Sequence, residues 1–447
     1  MKVIHCLNNF LPQQVAGTEV YTEALVKELL QKNIDALVLI PNYGKTKNET
    51  YWHENIRVIQ YAEPSVVNRA LIMGRIIPEG LIHFKKIIEE EKPSVVHFHI
   101  AGGSNGISLH HVHAVKQSGI KIIMTFHLVG YTCKTNNLLY KNKQPCNGFI
   151  DTNRCTMCIY TDMKMGVIKK NILYAAALTA RVFHYNTTYW NNKYGTAIGY
   201  PFLIEQLKKN LMLLSGDCDK IVVLTHWYKK VLEDNGVPPH KLVHIAQGLP
   251  RQQTNEMELP KGDILKLVFV GRINESKGLH LLIKALKQLP LQQVSLDIYG
   301  KLNDEIYANE CRSATTTMKN INWMGVLPPE KVVKTLSNYH CLCLPSVICE
   351  MSPLIIQEAF AAGIPVIASD VYGNAEQIKN GDNGWLFKFN DSNDLKNKLK
   401  ELIENPEKIL IAKKNIPAVK SFSAVADEYE QLYKDLEMQE INRLSRN

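Results

Sequence analysis

The pattern of hydrophobic and polar positions along the chain predicts two successive series of buried strands. Short, nearly continuous apolar runs are typical of strands that are covered on both faces of a parallel sheet. In the first half of the chain these runs are Lys2–Leu7, Ala36–Ile40, Ser94–His99, Lys121–His127 and Asp219–Thr225. In the second half they are Leu265–Val270, Val294–Tyr299, Cys341–Leu344 and Ile364–Ser369.

Amphipathic segments with helical spacing lie between the strands. Those with the plainest pattern are Thr18–Gln31, Ile76–Glu91, Ser104–Gln117 and, near the end of the chain, Ser423–Met438. Alternating strands and helices favour a parallel sheet covered by helices on both faces. The predicted fold class is therefore α/β, with two doubly wound Rossmann-like domains that face each other across a cleft. We expect the last helix to cross back to the first domain.

The same pattern predicts the domain boundaries. Residues 1–248 form the first, acceptor-side domain, residues 249–262 a linker, residues 263–420 the second domain, and residues 421–447 the crossing helix and tail. The first domain is expected to contain a four-cysteine loop at 128–158 and a basic, aromatic insertion at 159–214.

Composition excludes several classes of protein. With 447 residues, 45% of them hydrophobic and 21% charged, the chain has the composition of a multidomain globular protein. No apolar window approaches the roughly 18 residues of a membrane-spanning helix, since the best one, Ile172–Ala180, ends at Arg181. The apolar run after Lys2 is too short for a secretory signal. We expect a cytoplasmic protein, and a peripheral position on the inner face of the membrane remains open.

Two cations follow the first strand of the second domain. Arg272 comes two residues after strand Leu265–Val270, and Lys277 precedes Gly278 at the start of a helix. Ligands of doubly wound sheets bind at the carboxyl ends of the strands. A planar guanidinium and a compact ammonium at this edge suit a diphosphate. The alternative is that both are ordinary surface cations.

Two glutamates, eight positions apart, follow strand Cys341–Leu344. Glu350 precedes a helix whose first turn suits Pro353, and Glu358 lies on that helix among apolar neighbours, which favours a buried role. Free amides at this helix start would form an anion site. The donors would be the amides of Met351, Ser352 and Leu354, and Pro353, which has no N–H, would line the site among them.

Taken together, these motifs resemble the retaining glycosyltransferases of family 4, which have the GT-B architecture. The resemblance covers most of the chain. The family's V-G-R-x4-K-G motif is present as Val270–Gly278 and its E-x7-E motif as Glu350–Glu358. Three further matches are Ala362–Ser369, Gly373–Glu376 and Asn383–Gly384, and the N-terminal G-G-x-E loop appears as Ala16–Glu19 with one glycine replaced. Gln247-Gly248 stands where many relatives have Asn-Gly.

The resemblance implies a reaction and a role for each motif residue. A sugar would move with retention from a UDP- or GDP-type nucleotide-diphosphate sugar to a glycan or lipid-linked acceptor, in the synthesis of a cell-surface polysaccharide or glycolipid. Arg272 and Lys277 would neutralise the leaving diphosphate without a catalytic metal. Glu350 would contact donor-sugar hydroxyls, and Glu358 would hold the ribose. No enzymic nucleophile is implied.

Three further residues of the predicted site come from the same resemblance. The backbones at Gly17 and Ser352 would approach the phosphates, and His127, which closes strand Lys121–His127, would lie near the donor sugar. A core-edge histidine bonded to a backbone carbonyl is the alternative for His127. His99, at the end of the preceding strand, is a second candidate.

Four cysteines in the first domain have metal-ligand spacing. Cys133, Cys146, Cys155 and Cys158 follow the pattern C-x12-C-x8-C-x2-C in a chain without a predicted export signal. Reduced thiolates at this spacing predict a closed, structural zinc site. An iron–sulfur cluster and four unrelated cysteines remain alternatives.

The insertion at 159–214 holds most of the chain's excess positive charge. It contains seven Lys or Arg against two acidic residues, in a chain whose net charge is +9, and aromatic residues are interleaved with the cations. This pattern fits a surface that contacts the inner membrane near a lipid-linked acceptor. Alternatives are a solvated helical insertion or a zinc-knuckle nucleic-acid binder, although we expect no nucleic-acid partner. A GT-B-type sugar-nucleotide epimerase is the rival enzyme.

Overall fold

The computed structural model describes residues 1–65, 68–102, 106–163, 165–190, 192–249 and 264–444. The predicted linker 249–262 lies, after Leu249, outside the described residues. The strands are β1 (Lys2–Cys6), β2 (Asp35–Tyr43), β3 (Glu49–His53), β4 (Ile56–Glu63), β5 (Val95–Phe98), β6 (Lys121–Phe126), β7 (Leu139–Tyr140), β8 (Gln144–Pro145), β9 (Lys220–Val223), β10 (Leu242–His244), β11 (Leu265–Val270), β12 (Val294–Tyr299), β13 (Ile321–Gly325), β14 (Cys341–Leu344), β15 (Val366–Ser369) and β16 (Gly384–Phe387).

The helices alternate with these strands. They are α1 (Gly17–Gln31), α2 (Arg69–Ile72), α3 (Leu81–Glu91), α4 (Leu109–Gln117), α5 (Thr152–Asp162), α6 (Val167–Val182), α7 (Lys193–Ile198), α8 (Tyr200–Asp217), α9 (His226–Asp234), α10 (Leu279–Leu286), α11 (Glu305–Thr315), α12 (Val332–Leu336), α13 (Leu354–Ala361), α14 (Tyr372–Ala375), α15 (Ser392–Glu404), α16 (Glu407–Lys414) and α17 (Phe422–Leu444). None of the helices in the described part of the chain is both long and apolar enough to cross a membrane.

The chain divides into two compact units. The first contains residues 1–136, 147–246 and 422–447, and the second contains residues 137–146 and 247–421. This division differs from the predicted domains in one internal segment and, by one or two residues, at the boundaries near 247 and 421. Residues 137–146, from the middle of the predicted four-cysteine loop, group with the second unit.

An eight-stranded sheet forms the centre of the first unit. Its order is β10-β9-β6-β5-β1-β2-β4-β3, and all neighbouring strands are parallel except β3 and β4. The central strands are almost completely buried, which explains their continuous apolar sequences. Because β6, β5 and β1 are adjacent and parallel, the residues at their carboxyl ends lie side by side.

The last helix belongs to the first unit, where it packs against α1. The Tyr21 hydroxyl donates a hydrogen bond of 3.0 Å to the Tyr429 hydroxyl, and Phe422 packs edge-on against the Tyr21 ring. The predicted return of this helix to the first domain is confirmed.

The second unit contains a six-stranded, wholly parallel sheet. Its order is β13-β12-β11-β14-β15-β16, so successive strands are added outward from β11 on one side and from β14 on the other. The strand order therefore reverses between β11 and β14, and this switch point is where doubly wound sheets bind ligands. The two strongest sequence motifs follow these two strands.

A short hairpin from the four-cysteine loop is part of the second unit. The Cys349 amide donates a 3.0 Å hydrogen bond to the Asn137 carbonyl, and the Cys349 thiol lies 3.2 Å from the Leu138 carbonyl oxygen. Leu138 and Leu139 are buried. The hairpin β7–β8 is therefore attached to the residue that directly precedes Glu350.

Candidate active site

The loops that follow β11 and β14 are fastened to each other at the switch point. The Val347 amide donates a 2.9 Å hydrogen bond to the Ser276 carbonyl. Gly278 has a φ of +69°, and a Cβ added there would lie 1.8 Å from the Pro345 carbonyl oxygen. Only glycine permits this close approach. The final glycine of the first motif thus brings the cations of one loop beside the carboxylate of the other.

Lys277 and Glu350 form an ion pair at this junction. The Lys277 Nζ donates to Glu350 Oε1 at 2.6 Å, and the Ser346 hydroxyl donates to the same oxygen at 2.8 Å. The side chains of the ion pair are only 15% and 13% exposed. One carboxylate oxygen is therefore occupied, whereas Oε2 has no hydrogen-bond partner among the described residues.

The charges around Glu350 keep it ionised. Desolvation alone would raise the pKa of this carboxyl, but the charge and hydrogen bond of Lys277 outweigh it, with smaller contributions from Ser346 and the Arg272 charge, so the pKa is lowered. Arg272 itself is exposed and has no side-chain partner in the described part of the chain. The site thus carries a net positive charge, of which the guanidinium is the accessible part.

A third loop supports the backbone of Glu350. A Cβ added at Gly373 would lie 2.1 Å from the Glu350 carbonyl oxygen and 2.5 Å from that of Met351, so this glycine allows the two loops to touch. The Ser369 hydroxyl donates a 2.7 Å hydrogen bond to the Ser346 carbonyl. Gly373, the first residue of the G-x-x-E motif, therefore lets this loop pack against the backbone of Glu350, a role that the sequence alone did not indicate.

Helix α13 begins directly after these residues. Pro353 is its N-cap residue rather than part of its first turn, one position earlier than predicted. The Ile356 amide donates back to the Pro353 carbonyl, while the amides of Leu354 and Ile355 have no acceptor among the described residues. With Ser352 part-exposed beside them, these amides remain available to an anion.

Glu358 lies on the same helix but in a different environment. Its carboxyl is half-buried and has no side-chain partner in the described structure. Desolvation raises its pKa to about 7. Hydrogen bonds donated by sugar hydroxyls would stabilise the ionised form, so the Glu358 carboxyl is suited to the predicted ribose contact.

The first unit contains two more of the predicted residues. Gly17 is the first residue of α1, and a Cβ added there would meet no atom within 4 Å, so its backbone is open to a ligand. His127 follows β6, and its Nε2 lies 3.0 Å from Nδ1 of His99. Its partner is thus another histidine, and the alternative of a backbone carbonyl partner does not apply to this nitrogen.

The four cysteines lie on three separate elements. Cys155 and Cys158 are three positions apart on α5, so they share one face of the helix. The Cys133 amide donates to the Val129 carbonyl at the end of a short turn, and the Cys146 amide donates to Leu138 beside the hairpin. All four are part-exposed. Cys146 belongs to the segment that groups with the second unit.

Comparison with known proteins gives two family matches. Residues 15–152 match the profile described as Glycosyltransferase Family 4, and residues 251–418 match that of Glycosyl transferases group 1. The chain belongs to glycosyltransferase family 4. The two matches lie in the first and the second predicted domain, and the predicted family is confirmed.

Similarity to individual members of the family is distant. The chain is 30% identical over 179 residues to a Salmonella typhimurium protein provisionally named the colanic acid biosynthesis glycosyltransferase WcaL, a match that covers 38% of this chain and 44% of that protein. The matched region thus spans about half the length of its curated relatives. Neither the epimerase nor the nucleic-acid binder is favoured by these matches.

Solved structures share the fold of this family 4 chain over nearly its whole length. Sucrose-phosphate synthase from Thermosynechococcus elongatus matches with a TM-score of 0.65 and 15% identity, covering 97% of this chain and 98% of that one. The Anabaena protein HepE, in complex with UDP and glucose, matches with a TM-score of 0.60 and 12% identity, covering 97% and 99%. The predicted GT-B fold class is confirmed.

Proposed function

We propose that this family 4 member is a retaining glycosyltransferase that uses a nucleotide-diphosphate sugar of the UDP or GDP type. The observation that carries the proposal is the arrangement at the β11–β14 switch point. An exposed guanidinium, Arg272, and an ammonium, Lys277, lie there beside the ionised Glu350. HepE was solved with UDP, which supports a nucleotide donor for this chain as well.

Each charged group has a part in the proposed reaction. Arg272 and the two Lys277 protons not used by Glu350 bind the diphosphate and stabilise the negative charge that grows as the glycosidic bond breaks. Glu350 accepts hydrogen bonds from the donor-sugar hydroxyls through Oε2. Glu358 accepts hydrogen bonds from the ribose hydroxyls. The backbone amides of Leu354 and Ile355, which have no acceptor among the described residues, donate to a phosphate.

In the proposed reaction the sugar keeps its anomeric configuration through a front-face displacement. The acceptor attacks the anomeric carbon on the same face from which the diphosphate leaves. The leaving phosphate oxygen takes the acceptor proton, so no enzymic nucleophile is needed. We assign Glu350 no such role: Lys277 and Ser346 hold its Oε1, and the proposed reaction uses Oε2 for the donor-sugar hydroxyls. Two fixed cations supply the charge stabilisation that a divalent metal would otherwise give.

The donor and the stereochemistry are tested together. UDP-, GDP- and ADP-sugars are screened for thermal stabilisation, and the active donor is then incubated with lipid-linked and free glycan acceptors. At a hundredfold excess over the dissociation constant, a bound donor stabilises the fold by about 2.7 kcal/mol. The proton NMR coupling of the product's anomeric hydrogen should match that of the donor. An inverted anomer would contradict the proposal.

We propose further that the acceptor is a cell-surface glycan or its lipid-linked precursor, and that the helical insertion contacts the inner membrane surface. Helix α6 presents an exposed stripe of Ile168, Ile172, Ala175, Thr179 and Val182, at positions that share one helix face. Lys169 and Lys170 lie beside it. Apolar residues flanked by cations fit an anionic lipid surface.

A cavity near this stripe adds to the apolar area. It has a volume of about 380 Å³ and is lined by Ala176, Thr179, Ala180, Phe183, Tyr185, Thr187, Trp190 and Ile198. Phe183 is 76% exposed, and exposed apolar side chains that lie together in a patch are typical of interaction sites. The name of the Salmonella relative, which refers to colanic acid synthesis, agrees with a polysaccharide acceptor.

Sedimentation with vesicles tests the membrane contact. The protein should bind vesicles that contain phosphatidylglycerol and should bind phosphatidylcholine vesicles much less. Exchanging Ile168 and Ile172 for Glu should abolish this binding. Ile306→Glu is the matched control, because Ile306 is as exposed as Ile168, at 76%, but lies in the second unit. Unchanged binding by the double variant would contradict the contact.

We also propose that Cys133, Cys146, Cys155 and Cys158 bind one structural zinc ion. The support is the spacing of the four cysteines and the preference of zinc for thiolates, together with the shared helix face of Cys155 and Cys158. A bound zinc would hold the loop and take no part in sugar transfer.

A further inference from the structure

Three histidines form a hydrogen-bonded row across the sheet of the first unit. His5 lies on β1, while His99 and His127 directly follow β5 and β6. Nδ1 of His5 is 3.0 Å from Nε2 of His99, and Nδ1 of His99 is 3.0 Å from Nε2 of His127. The row exists because β1, β5 and β6 are neighbouring parallel strands.

All three rings are neutral near pH 7. Desolvation lowers the pKa of His5 and of His127 to about 3, and the pKa of His99 is lowered well below its usual value by desolvation and by the neighbouring His97, His5 and His127. A neutral imidazole has one N–H donor and one lone-pair acceptor. Each contact in the row therefore needs one ring to donate and the next to accept.

This requirement allows only two arrangements of the protons. If protons are donated toward His127, then His5 and His99 each carry theirs on Nδ1, and His5 keeps a lone pair on Nε2. If protons are donated toward His5, each ring carries its proton on Nε2, and His5 keeps an N–H there. Nε2 of His5 is completely buried and has no partner among the described residues.

The unpartnered nitrogen decides between the two arrangements. A buried N–H without an acceptor is the rarer and costlier defect, whereas an unused acceptor is tolerated more often. We propose that His5 and His99 are positioning residues that hold His127 in the tautomer with its proton on Nδ1. His127 then offers an N–H donor at the ring nitrogen that the row does not use. Given the proposed function, this donor suits an oxygen of the donor sugar.

A metal ion is the competing explanation for a cluster of buried histidines. His5, His97 and His99 have ring nitrogens close enough together for one. However, Nδ1 and Nε2 of His97 lie 2.7 Å from the Tyr433 hydroxyl and 2.8 Å from the Thr125 hydroxyl, and both nitrogens of His99 are used in the row. Only His5 has a nitrogen to spare, so hydrogen bonding accounts for the cluster.

The tautomer is measured directly by NMR of the full chain labelled with ¹⁵N-histidine. The His127 signals are assigned by their loss in His127→Gln. At pH 7 we expect a protonated, pyrrole-type Nδ1 and an unprotonated, pyridine-type Nε2 in the wild-type protein. The reverse pattern, or an average of the two, would overturn the proposal. This result does not depend on any activity, so it stands apart from the test of the proposed transferase.

Two substitutions of His99 separate positioning from simple packing. His99→Asn keeps a side-chain N–H near the place of Nδ1 and should preserve the His127 tautomer. His99→Phe removes the donor and should release His127 into a mixture of tautomers, while turnover falls about five- to tenfold and nucleotide affinity is unchanged. An unchanged tautomer in a folded His99→Phe variant would contradict the proposal, and the wild-type spectrum decides the question if that variant does not fold.

Discussion

The Lys277 ammonium and the Glu350 carboxylate lie 2.6 Å apart, although 73 positions separate them in the sequence. The pair brings two motifs together, and it leaves Arg272 as the accessible cation of the site. In the proposed reaction, Glu350 thus has two tasks. It fixes the lysine that faces the diphosphate, and it offers its second oxygen to the sugar.

We expect Arg272→Ala and Lys277→Ala each to lower kcat/KM for sugar transfer about 30- to 1,000-fold with the fold intact. Each substitution removes a charge contact to the leaving diphosphate that contributes about 2 to 4 kcal/mol. Steady-state kinetics and circular dichroism provide the measurement. Lys319→Ala is the control, since Lys319 is an exposed cation that precedes the amino end of β13, away from the carboxyl ends. Turnover within threefold of wild type in either site variant would contradict the assignment.

The two glutamates should behave differently when each is changed to glutamine. Glu358→Gln should weaken binding of the free nucleotide about 10- to 100-fold, because the ribose loses a charged acceptor. Glu350→Gln should leave that affinity unchanged or slightly improved, because Lys277 is released toward the diphosphate, while turnover falls. Calorimetric titration and kinetics separate these effects. Equal losses of nucleotide affinity in the two variants would mean that the roles are wrong.

Glu358 should also make stability depend on pH. Its folded pKa of about 7 lies above the ordinary value of 4.5, so the folded state holds the proton more tightly. The neutral carboxyl makes its full contribution to the free energy of unfolding below about pH 4.5, and this contribution is lost as the pH rises through 7. Glu358→Gln should therefore be more stable than wild type at pH 8, by about 3 kcal/mol at most, and nearly equal to it at pH 4.5. Urea unfolding at both values measures this, and an equal difference at both would contradict it.

Two glycines of the first motif should tolerate alanine very differently. Gly278→Ala places a Cβ 1.8 Å from the Pro345 carbonyl at a positive φ, so we expect a loss of more than about 2 kcal/mol in unfolding free energy. Gly271→Ala is the matched control, because its Cβ would meet no atom closer than 3.7 Å. Its unfolding free energy should stay within about 1 kcal/mol of wild type. Similar losses in both variants would show that the 1.8 Å approach is not the cause.

The zinc proposal predicts one zinc ion per chain in protein purified without added metal. Elemental analysis gives the stoichiometry, and X-ray absorption should give four zinc–sulfur distances of about 2.3 Å. Cys155→Ser should lose the metal but keep nucleotide binding, whereas Cys311→Ala, a buried thiol of the second unit, should retain the metal. Protein that contains no metal, with all four thiols reactive toward an alkylating agent, would refute the site.

Much of the fold could be predicted from the sequence, because buried parallel strands are continuously apolar. The bounds of β11, β12 and β14 match their predictions residue for residue. Strand β3 was missed because it is largely exposed and reads as polar. Likewise β13, at the edge of the second sheet, buries only its first residue. Strand β4 is mostly buried but was missed because Arg57, Gln60 and Glu63 interrupt its apolar residues.

The site was predictable as a set of motifs but not as an arrangement. Their positions after predicted strands and the family motifs singled out Arg272, Lys277 and Glu350 as candidates, yet nothing local indicated that Lys277 and Glu350 pair with each other. Gly373 is needed structurally because it lies against the backbone carbonyls of Glu350 and Met351, which are 23 and 22 residues earlier in the sequence. Its own motif does not predict that contact. The row of histidines likewise requires the order of three strands, and single-sequence periodicity does not contain that order.

The position of α17 has a consequence for synthesis of the protein. Tyr429 and Tyr433 bond to Thr125 and His97 in the middle of the first sheet, and both tyrosines are fully buried. While a ribosome is still translating the second unit, α17 is absent, so Thr125 and His97 lack these partners and the part of the sheet that α17 covers faces water. The N-terminal unit is therefore the last to be completed, and a nascent chain stopped at residue 421 should be bound by chaperones rather than released as a finished half.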